Sequence, residues 1–564
     1  MGPRAARPSE GWTPGRKTIA VVLVGTLLAA GLTVFALSEP TPTAMPSTGT
    51  VPPGGPANAN LSGSVDPPVD LVNGQWGVDL RADVHLTSAD AAAINSTGTE
   101  LVRWPGGALG DRFDPIANAG GGLIYQPNGS AVPPDTTFAQ FVTWCGWVHC
   151  QSVVTLPAEV DNGSLAAAIV SYSLHTLDFR PTFWEIGNEP ALWTHFGIPW
   201  SSWNTSQDRN TTPLGFAEVV RSYVTAIRSV DPATPIVGMG GTGVGGPYPS
   251  SWIEQDVETN GPNISALAIH VYPAGPVESA QPPSEWFAAL QSSSALPNRV
   301  NATMAQVNAT CPTCHLGLLV DELGTGTSVP PGDELSGGYL ASFVAAELVQ
   351  SLPLPLRSLD YYNLRSGTPG AWFSTSGVPS PAYSVFADWQ ARMGPYAAAL
   401  GVHSQANGLL AAVGGTSPGS WENLLLVNAN STFTFSLNLR TTLPKLARAT
   451  ILEWDGPSAA PNNLTWGPGG PTNLSVPPMS LVILSGAGAP QFGPTSAGPP
   501  HRAGTHLRDR VLGGLLVGAE RSGTSFPIFS PSLPQWGGPR AVATADRLLR
   551  GVERGWVRGP ARPV

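Results

Sequence analysis

Between Gln75 and Gly394 the sequence repeats one pattern eight times: a short apolar run that stops at polar or Gly residues, with a helical stretch near each. The apolar runs are Trp76–Leu80, Leu101–Pro105, Ser152–Leu156, Thr182–Ile186, Pro235–Met239, Ala266–Tyr272, Leu316–Val320 and Ser358–Tyr362. Ser164–Leu177, Leu214–Val230 and Gly338–Ser351 are among the helical stretches. Runs that are apolar throughout suit strands buried on both faces, and strands joined by a helix pair in parallel. An α/β fold follows. Eight such units over roughly 320 residues predict a (β/α)8 TIM barrel spanning 71–394. An open doubly wound sheet competes with it, because its local alternation of strand and helix is the same.

The flanks differ in texture. Residues 395–487 carry short β-rich runs, Asn423–Asn428, Thr432–Leu437, Ala449–Trp454 and Leu474–Leu484, divided by Gly/Pro turns, which predicts a small C-terminal β-sandwich. Residues 39–70 are rich in Pro, Ser, Thr and Gly and read as a stalk. Residues 488–564 form an Arg/Gly/Pro-rich tail for which disorder is expected. From Gly498 onward the tail holds ten Arg against four acidic residues, while the rest of the chain has 18 basic and 34 acidic side chains. An acidic body of this kind is a poor partner for nucleic acid.

At the N-terminus, Arg16 and Lys17 precede nineteen uncharged residues, Ile19–Leu37. At about 1.5 Å per residue that run nearly spans a hydrocarbon core, and the preceding basic residues orient the remainder for export. Residues 1–38 are therefore expected to be a membrane anchor or a cleaved signal peptide. Asn-x-Ser/Thr sequons occur at twelve positions from Asn60 to Asn473, half of all Asn, and none precedes the apolar segment. A glycosylated extracellular protein, either tethered to the membrane by that segment or secreted, is the expectation. Cys145 and Cys150 lie just before the third strand run, Cys311 and Cys314 just before the seventh. In a barrel those strands are on opposite sides, too far apart for a shared metal or a cross-bridge, so two local disulfides are expected. No metal and no cofactor enter this reading.

Chemistry in a (β/α)8 enzyme is done by side chains at the C-terminal ends of strands. The fourth run continues Phe183-Trp184-Glu185-Ile186-Gly187-Asn188-Glu189-Pro190, and the seventh continues Leu318-Leu319-Val320-Asp321-Glu322-Leu323-Gly324. Strands four and seven face one another across a barrel mouth, so Glu189 and Glu322 can converge although 133 positions separate them. Hydrolysis of an acetal with retention needs such a pair, about 5 Å apart, one attacking the anomeric carbon and the other protonating the leaving oxygen.

The segment Trp184–Pro190 resembles the acid/base motif of clan A retaining glycoside hydrolases. The likeness is closest to family 79, the heparanase and β-glucuronidase family, with the arabinofuranosidases of family 51 and the xylosidases of family 39 nearby. It implies Glu189 as acid/base, Glu322 as nucleophile and Asn188 as a ligand of the sugar's 2-hydroxyl. Leu101-Val102-Arg103-Trp104-Pro105-Gly106-Gly107 resembles the second-strand element whose Arg contacts the nucleophile, implying that role for Arg103. His270-Val271-Tyr272-Pro273 is similar to the strand-six element in which a Tyr, here Tyr272, hydrogen-bonds the nucleophile; His270 joins the substrate-binding set. The resemblance covers roughly 75–485, and Asp321-Glu322-Leu323-Gly324 departs from family 79 in lacking small polar residues after the Glu.

The function expected is a retaining glycoside hydrolase acting on an oligosaccharide, polysaccharide or glycoconjugate. Trp193, Trp200 and Trp203 cluster after the acid/base and can stack on sugar rings, and Trp372 is a candidate floor for the glycone. The loops after strands four to seven offer mainly Arg209 as a cation, which disfavours a heparan-type polyanion. Two rivals remain: a catalytically silent carbohydrate-binding surface glycoprotein, and an endo-acting glycanase of the same clan. Protease added to intact cells is expected to digest the barrel; a barrel protected until lysis would reverse the orientation assigned here.

Overall fold

The computed structural model describes residues 56–486, apart from 71–74, 127–129, 160–162, 191–211, 240–249, 276–280, 327–334, 367–369, 439–448, 458–460 and 466–472. The apolar segment Ile19–Leu37 and the tail 488–564 lie outside the described residues. Among the described residues, no helix is long and apolar enough to cross a membrane.

Eight parallel strands close into a barrel in sequence order, which decides against the open sheet. They are Trp76–Asp79, Leu101–Trp104, Gln151–Leu156, Phe183–Ile186, Ile236–Met239, Ala266–Val271, Gly317–Leu323 and Ser358–Tyr361. Alternate residues of a strand point to one face, and here the inward set changes character along the barrel. Leu101, Val153, Val237, Ala266, Ala268 and Leu319 pack together with Phe183 as one apolar cluster. Two residues further along the same strands stand Arg103, Thr155, Glu185, His270 and Asp321, all buried. Asp79 and Asp360 join that polar tier from the first and eighth strands. The interior thus passes from hydrocarbon to charge over about 7 Å.

Helices cover the outside of the barrel. In Pro213–Val230 the Thr212 side chain accepts from the Gly215 N–H and Pro213 occupies the first turn, where a missing N–H costs nothing. Phe216, Val220, Tyr223 and Ile227 are buried at helical spacing, and the Tyr223 hydroxyl donates to the Pro157 carbonyl after the third strand. The expected disulfides are present. Cys145–Cys150 closes the end of helix Phe138–Val148 and Cys311–Cys314 follows helix Leu296–Thr310, with Cα separations of 5.1 and 5.5 Å.

Among the described residues a further β-sheet domain has ten strands, eight after the barrel and two, Ala57–Val65 and Val69–Asp70, before it. Its central strands are buried on both faces. Leu424, Leu426, Val482 and Leu484 fill the domain's own core, while Leu425, Val427, Leu481 and Ile483 pack into the core shared with the barrel. The run Leu474–Leu484 divides into strands Asn473–Val476 and Ser480–Gly486, because Pro477 and Pro478 cannot donate to a ladder. The stalk assignment of 39–70 needs correction. Ala57–Val65 is a strand of this sheet, antiparallel to Tyr396–Ser404 and parallel to Phe435–Asn438. Its alternation uses Ala, buried at positions 57 and 59 between exposed Asn58 and Asn60, and so hides within a Pro/Ser/Thr/Gly-rich composition.

One buried carboxyl behind the barrel makes stability pH-dependent. Asp256 is fully buried, accepts from the Asn260 amide at 2.7 Å, and is pushed by burial up to about 7, with Asn260 opposing. A raised folded-state value gives stability that is complete below the ordinary carboxylate range and is lost as pH rises toward 7. The loss is on the order of 4 kcal/mol, at about 1.36 kcal/mol per pH unit. Asp256→Asn, which keeps the acceptor oxygen, is expected to raise the thermal midpoint by a few degrees at pH 8 and not at pH 4. Equal shifts at both pH values would contradict this.

Candidate active site

Arg103 is the anchor of the site. It follows inward-facing Leu101 on the second strand and is completely buried. Nε donates to Glu185 Oε2 at 2.7 Å, and Nη2 donates to Glu185 Oε1 at 3.0 Å and to Asn188 Oδ1 at 2.9 Å. Nη1 donates to Asp79 Oδ2 at 2.8 Å and to Glu322 Oε1 at 2.9 Å. Asp321 Oδ2 lies 3.2 Å from Nε. Burial alone would lower the arginine's pKa, but Glu185, Asp321, Asp79 and Glu322 outweigh it and raise it well above the ordinary range.

So dense a cluster needs room, which two glycines supply. A Cβ on Gly106 would lie 1.3 Å from Asp79 Oδ1, and one on Gly77 would lie 1.6 Å from Asp360 Oδ1. Neither position can hold another residue unless a carboxyl moves.

The seventh strand delivers two adjacent carboxylates to one place. Ile269 pairs with Val320, but His270 pairs with Glu322, leaving Asp321 as an extra residue in the register. Without that bulge, Asp321 and Glu322 would point to opposite faces. With it, Asp321 reaches Arg103 and Glu322 stands at the mouth, 4% exposed. Tyr272, just past the sixth strand, donates its hydroxyl to Glu322 Oε2 at 2.7 Å. Both oxygens of Glu322 therefore have a fixed donor.

Beyond the fourth strand the chain turns sharply. Gly187 has φ 74° and Glu189 has φ 44°, a left-handed conformation that costs a non-glycine residue about 1–2 kcal/mol. The turn is held by the Asn188 N–H, which donates to Asp111 Oδ1 at 2.7 Å, and by Arg103 on the Asn188 side chain. Because Asn188 Oδ1 faces the arginine, its NH2 is turned away from it. Glu189 Oε1 is 3.0 Å from His270 Nδ1, which is itself 3.4 Å from Glu322 Oε2. One ligand atom from each of Glu189, His270 and Glu322 lies within 4.8 Å of the other two. Among the described residues, these three form a group that could hold a metal ion.

Protons are distributed unevenly in the buried tier. Burial pushes Asp79, Asp321 and Asp360 well above the carboxylate range, with Arg103 opposing each. For Glu185 burial also acts upward, but Arg103 and hydrogen bonds from Asp321, Arg103 and Thr155 bring it below. The two members of the Glu185–Asp321 pair are thus shifted in opposite directions, Glu185 down and Asp321 up. For His270 burial acts downward, and the carboxylates Glu322 and Glu189 overcome it, raising the ring's affinity for a proton.

Of the residues expected from sequence, Arg103, Asn188, Glu189, His270, Tyr272 and Glu322 come together. Trp193, Trp200 and Trp203 lie outside the described residues. Trp372 is corrected: it is fully buried, with Phe386 at 4.8 Å and Tyr383 at 5.9 Å between ring centroids, so it packs the core and offers no face to a sugar. The aromatic that does stand beside the site is Tyr362. Its hydroxyl accepts from Arg81 Nη1 at 3.4 Å, and its ring meets Tyr272 edge-on at 6.4 Å. Asp79, Glu185 and Asp321 were also missed. Each is a charged residue on the inward side of an otherwise apolar strand, and that was the available signal.

No sequence-family model matches the chain, and no curated protein does. Solved structures do share the fold. The family 51 arabinofuranosidase from Xanthomonas axonopodis pv. citri is 15% identical with a TM-score of 0.59, covering 76% of this chain and 100% of that one. A family 51 α-L-arabinofuranosidase from Bifidobacterium longum is 14% identical with a TM-score of 0.57, covering 78% and 100%. A bifunctional glucanase-xylanase from a metagenome library is 12% identical with a TM-score of 0.52, covering 77% and 99%.

Removing the guanidinium leaves buried carboxylates without a counter-charge. Arg103→Met is expected to cost about 3–5 kcal/mol in denaturant unfolding, and near-parental stability would show that the cluster does not depend on it. Gly106→Ala should destabilise through the Asp79 clash, whereas Gly146→Ala, with nothing within 4 Å on its helix, should stabilise by about 0.5–1 kcal/mol.

Proposed function

We propose that the chain is a retaining glycoside hydrolase of the clan A type, with Glu322 as nucleophile and Glu189 as acid/base. The observation that carries this reading is the approach of the two carboxyl groups, with oxygens no more than 4.8 Å apart at the ends of strands seven and four. Retention goes with a separation of about 5–5.5 Å, and inversion with about 6.5–9.5 Å to admit a water.

The surroundings fit the two roles. Glu322, fixed by Arg103 and Tyr272, attacks the anomeric carbon while Glu189 gives its proton to the departing oxygen. The covalent ester that results is then opened by water, whose proton returns to Glu189. His270 touches both carboxyls and can steady the acid/base as its proton leaves and returns. Asn188 presents its NH2 for a sugar hydroxyl, and Tyr362 offers a ring beside the nucleophile. The substrate class is carbohydrate. The disulfides, the sequons and the basic-then-apolar N-terminus together support action outside the cytoplasm.

Glu322→Ala is expected to lose activity on every aryl glycoside, because no glycosyl-enzyme can form; azide should then yield an inverted glycosyl azide. Glu189→Ala should keep the first step on substrates with good leaving groups and slow by about 10²–10⁴-fold on poor ones, with azide restoring turnover and retaining configuration. Near-parental activity in both variants would refute the assignment.

A further inference from the structure

We infer that Glu189, His270 and Glu322 form a site for one borderline-soft divalent cation, Zn2+ or Co2+, at the mouth of the barrel. Around a metal with bonds of about 2.0–2.2 Å, tetrahedral ligand atoms lie about 3.3–3.6 Å apart. His270 Nδ1 is 3.0 Å from Glu189 Oε1 and 3.4 Å from Glu322 Oε2, so two edges are close to that length. The third edge is at most 4.8 Å and closes with a shift of up to about 1.5 Å in Glu189, the more exposed of the two carboxylates.

The outer surroundings support the same reading independently. A ligating imidazole usually points its other nitrogen at a carboxylate, and His270 Nε2 lies 3.5 Å from Asp321 Oδ1. A cation at Nδ1 would take the place of the hydrogen bond that this nitrogen now shares with Glu189 Oε1. A ligating carboxylate is usually hydrogen-bonded in turn, and Glu322 is held by both Arg103 and Tyr272. One imidazole with two carboxylates suits Zn2+ and Co2+ rather than Ca2+ or Mg2+, which call for six or more oxygens. A fourth position stays open to the cleft. The cation would occupy the oxygens that the proposed reaction uses, so it competes with the sugar.

The cation site itself does not rest on the glycosidase reading, since binding is measured without turnover. The full chain is titrated with Co2+, following visible absorption, and with Zn2+ against a chromophoric chelator. One equivalent should bind with the intense visible bands of tetrahedral Co2+. His270→Gln should abolish those bands, Glu189→Gln at the solvent edge should weaken Zn2+ at least 10-fold, and Asp321→Asn should weaken it about 10–100-fold. His403→Ala, in an exposed position of the β-sheet domain, should change nothing. Absence of binding up to about 1 mM Zn2+, or binding untouched by both His270→Gln and Glu189→Gln, would overturn the site. On an aryl glycoside that the parent cleaves, Zn2+ should inhibit competitively and a chelator should reverse it. Lack of turnover would count against the glycosidase alone, and lack of inhibition against the site alone.

Discussion

A guanidinium carries five N–H donors in a rigid fork, and Arg103 matches all five inside the barrel, where water cannot help. An isolated charge in such a place would cost tens of kcal/mol. Here the cost is offset because the acceptors come from strands one, four and seven and from the turn after strand four. The same bonds that make the charge tolerable therefore fix the relative positions of four separate parts of the chain. Asn188 and Glu322 are both held from one side chain, and Glu189 follows Asn188 directly.

Holding these groups close has visible costs elsewhere. Two glycines stand where a methyl group would strike a carboxyl, and Glu189 sits in a left-handed conformation. The bulge in strand seven sacrifices regular pairing to aim two consecutive carboxyls at the axis. Strain and lost pairing of this kind persist only where the surrounding core over-determines the backbone. The apolar layer beneath the polar tier, with the helices packed outside, provides that support.

The charge balance explains how so many acids share one cation. Arg103 holds Glu185 below the carboxylate range, while burial drives Asp79, Asp321 and Asp360 well above it. The arginine's remaining influence is directed to Glu322. His270 lies between the two carboxyls at the mouth, and its raised proton affinity reflects both of them. A proton and a transition-metal cation would thus be drawn to the same place for the same electrostatic reason.

The eightfold alternation narrowed the fold to a parallel α/β arrangement, barrel or open sheet, and the closed strand order decided for the barrel. Position at strand ends, together with the Asn-Glu-Pro and Asp-Glu-Leu segments, singled out Glu189 and Glu322, and the place of each cysteine pair before opposite strands predicted the local disulfides. Local pattern could not find the strand Ala57–Val65, whose partners are more than 330 positions away and whose fully buried residues include the small Ala57 and Ala59. Nor could it separate Trp372 from Tyr362, since a large aromatic after a strand suits core and cleft equally until packing decides. The bulge at Asp321 is the clearest case. Pairing register is a relation between two strands, and a one-residue slip reverses which face a side chain takes. The sequence by itself therefore determined which carboxylates end the strands, while only the closed barrel decided that Asp321 turns inward to Arg103 and Glu322 turns toward Glu189.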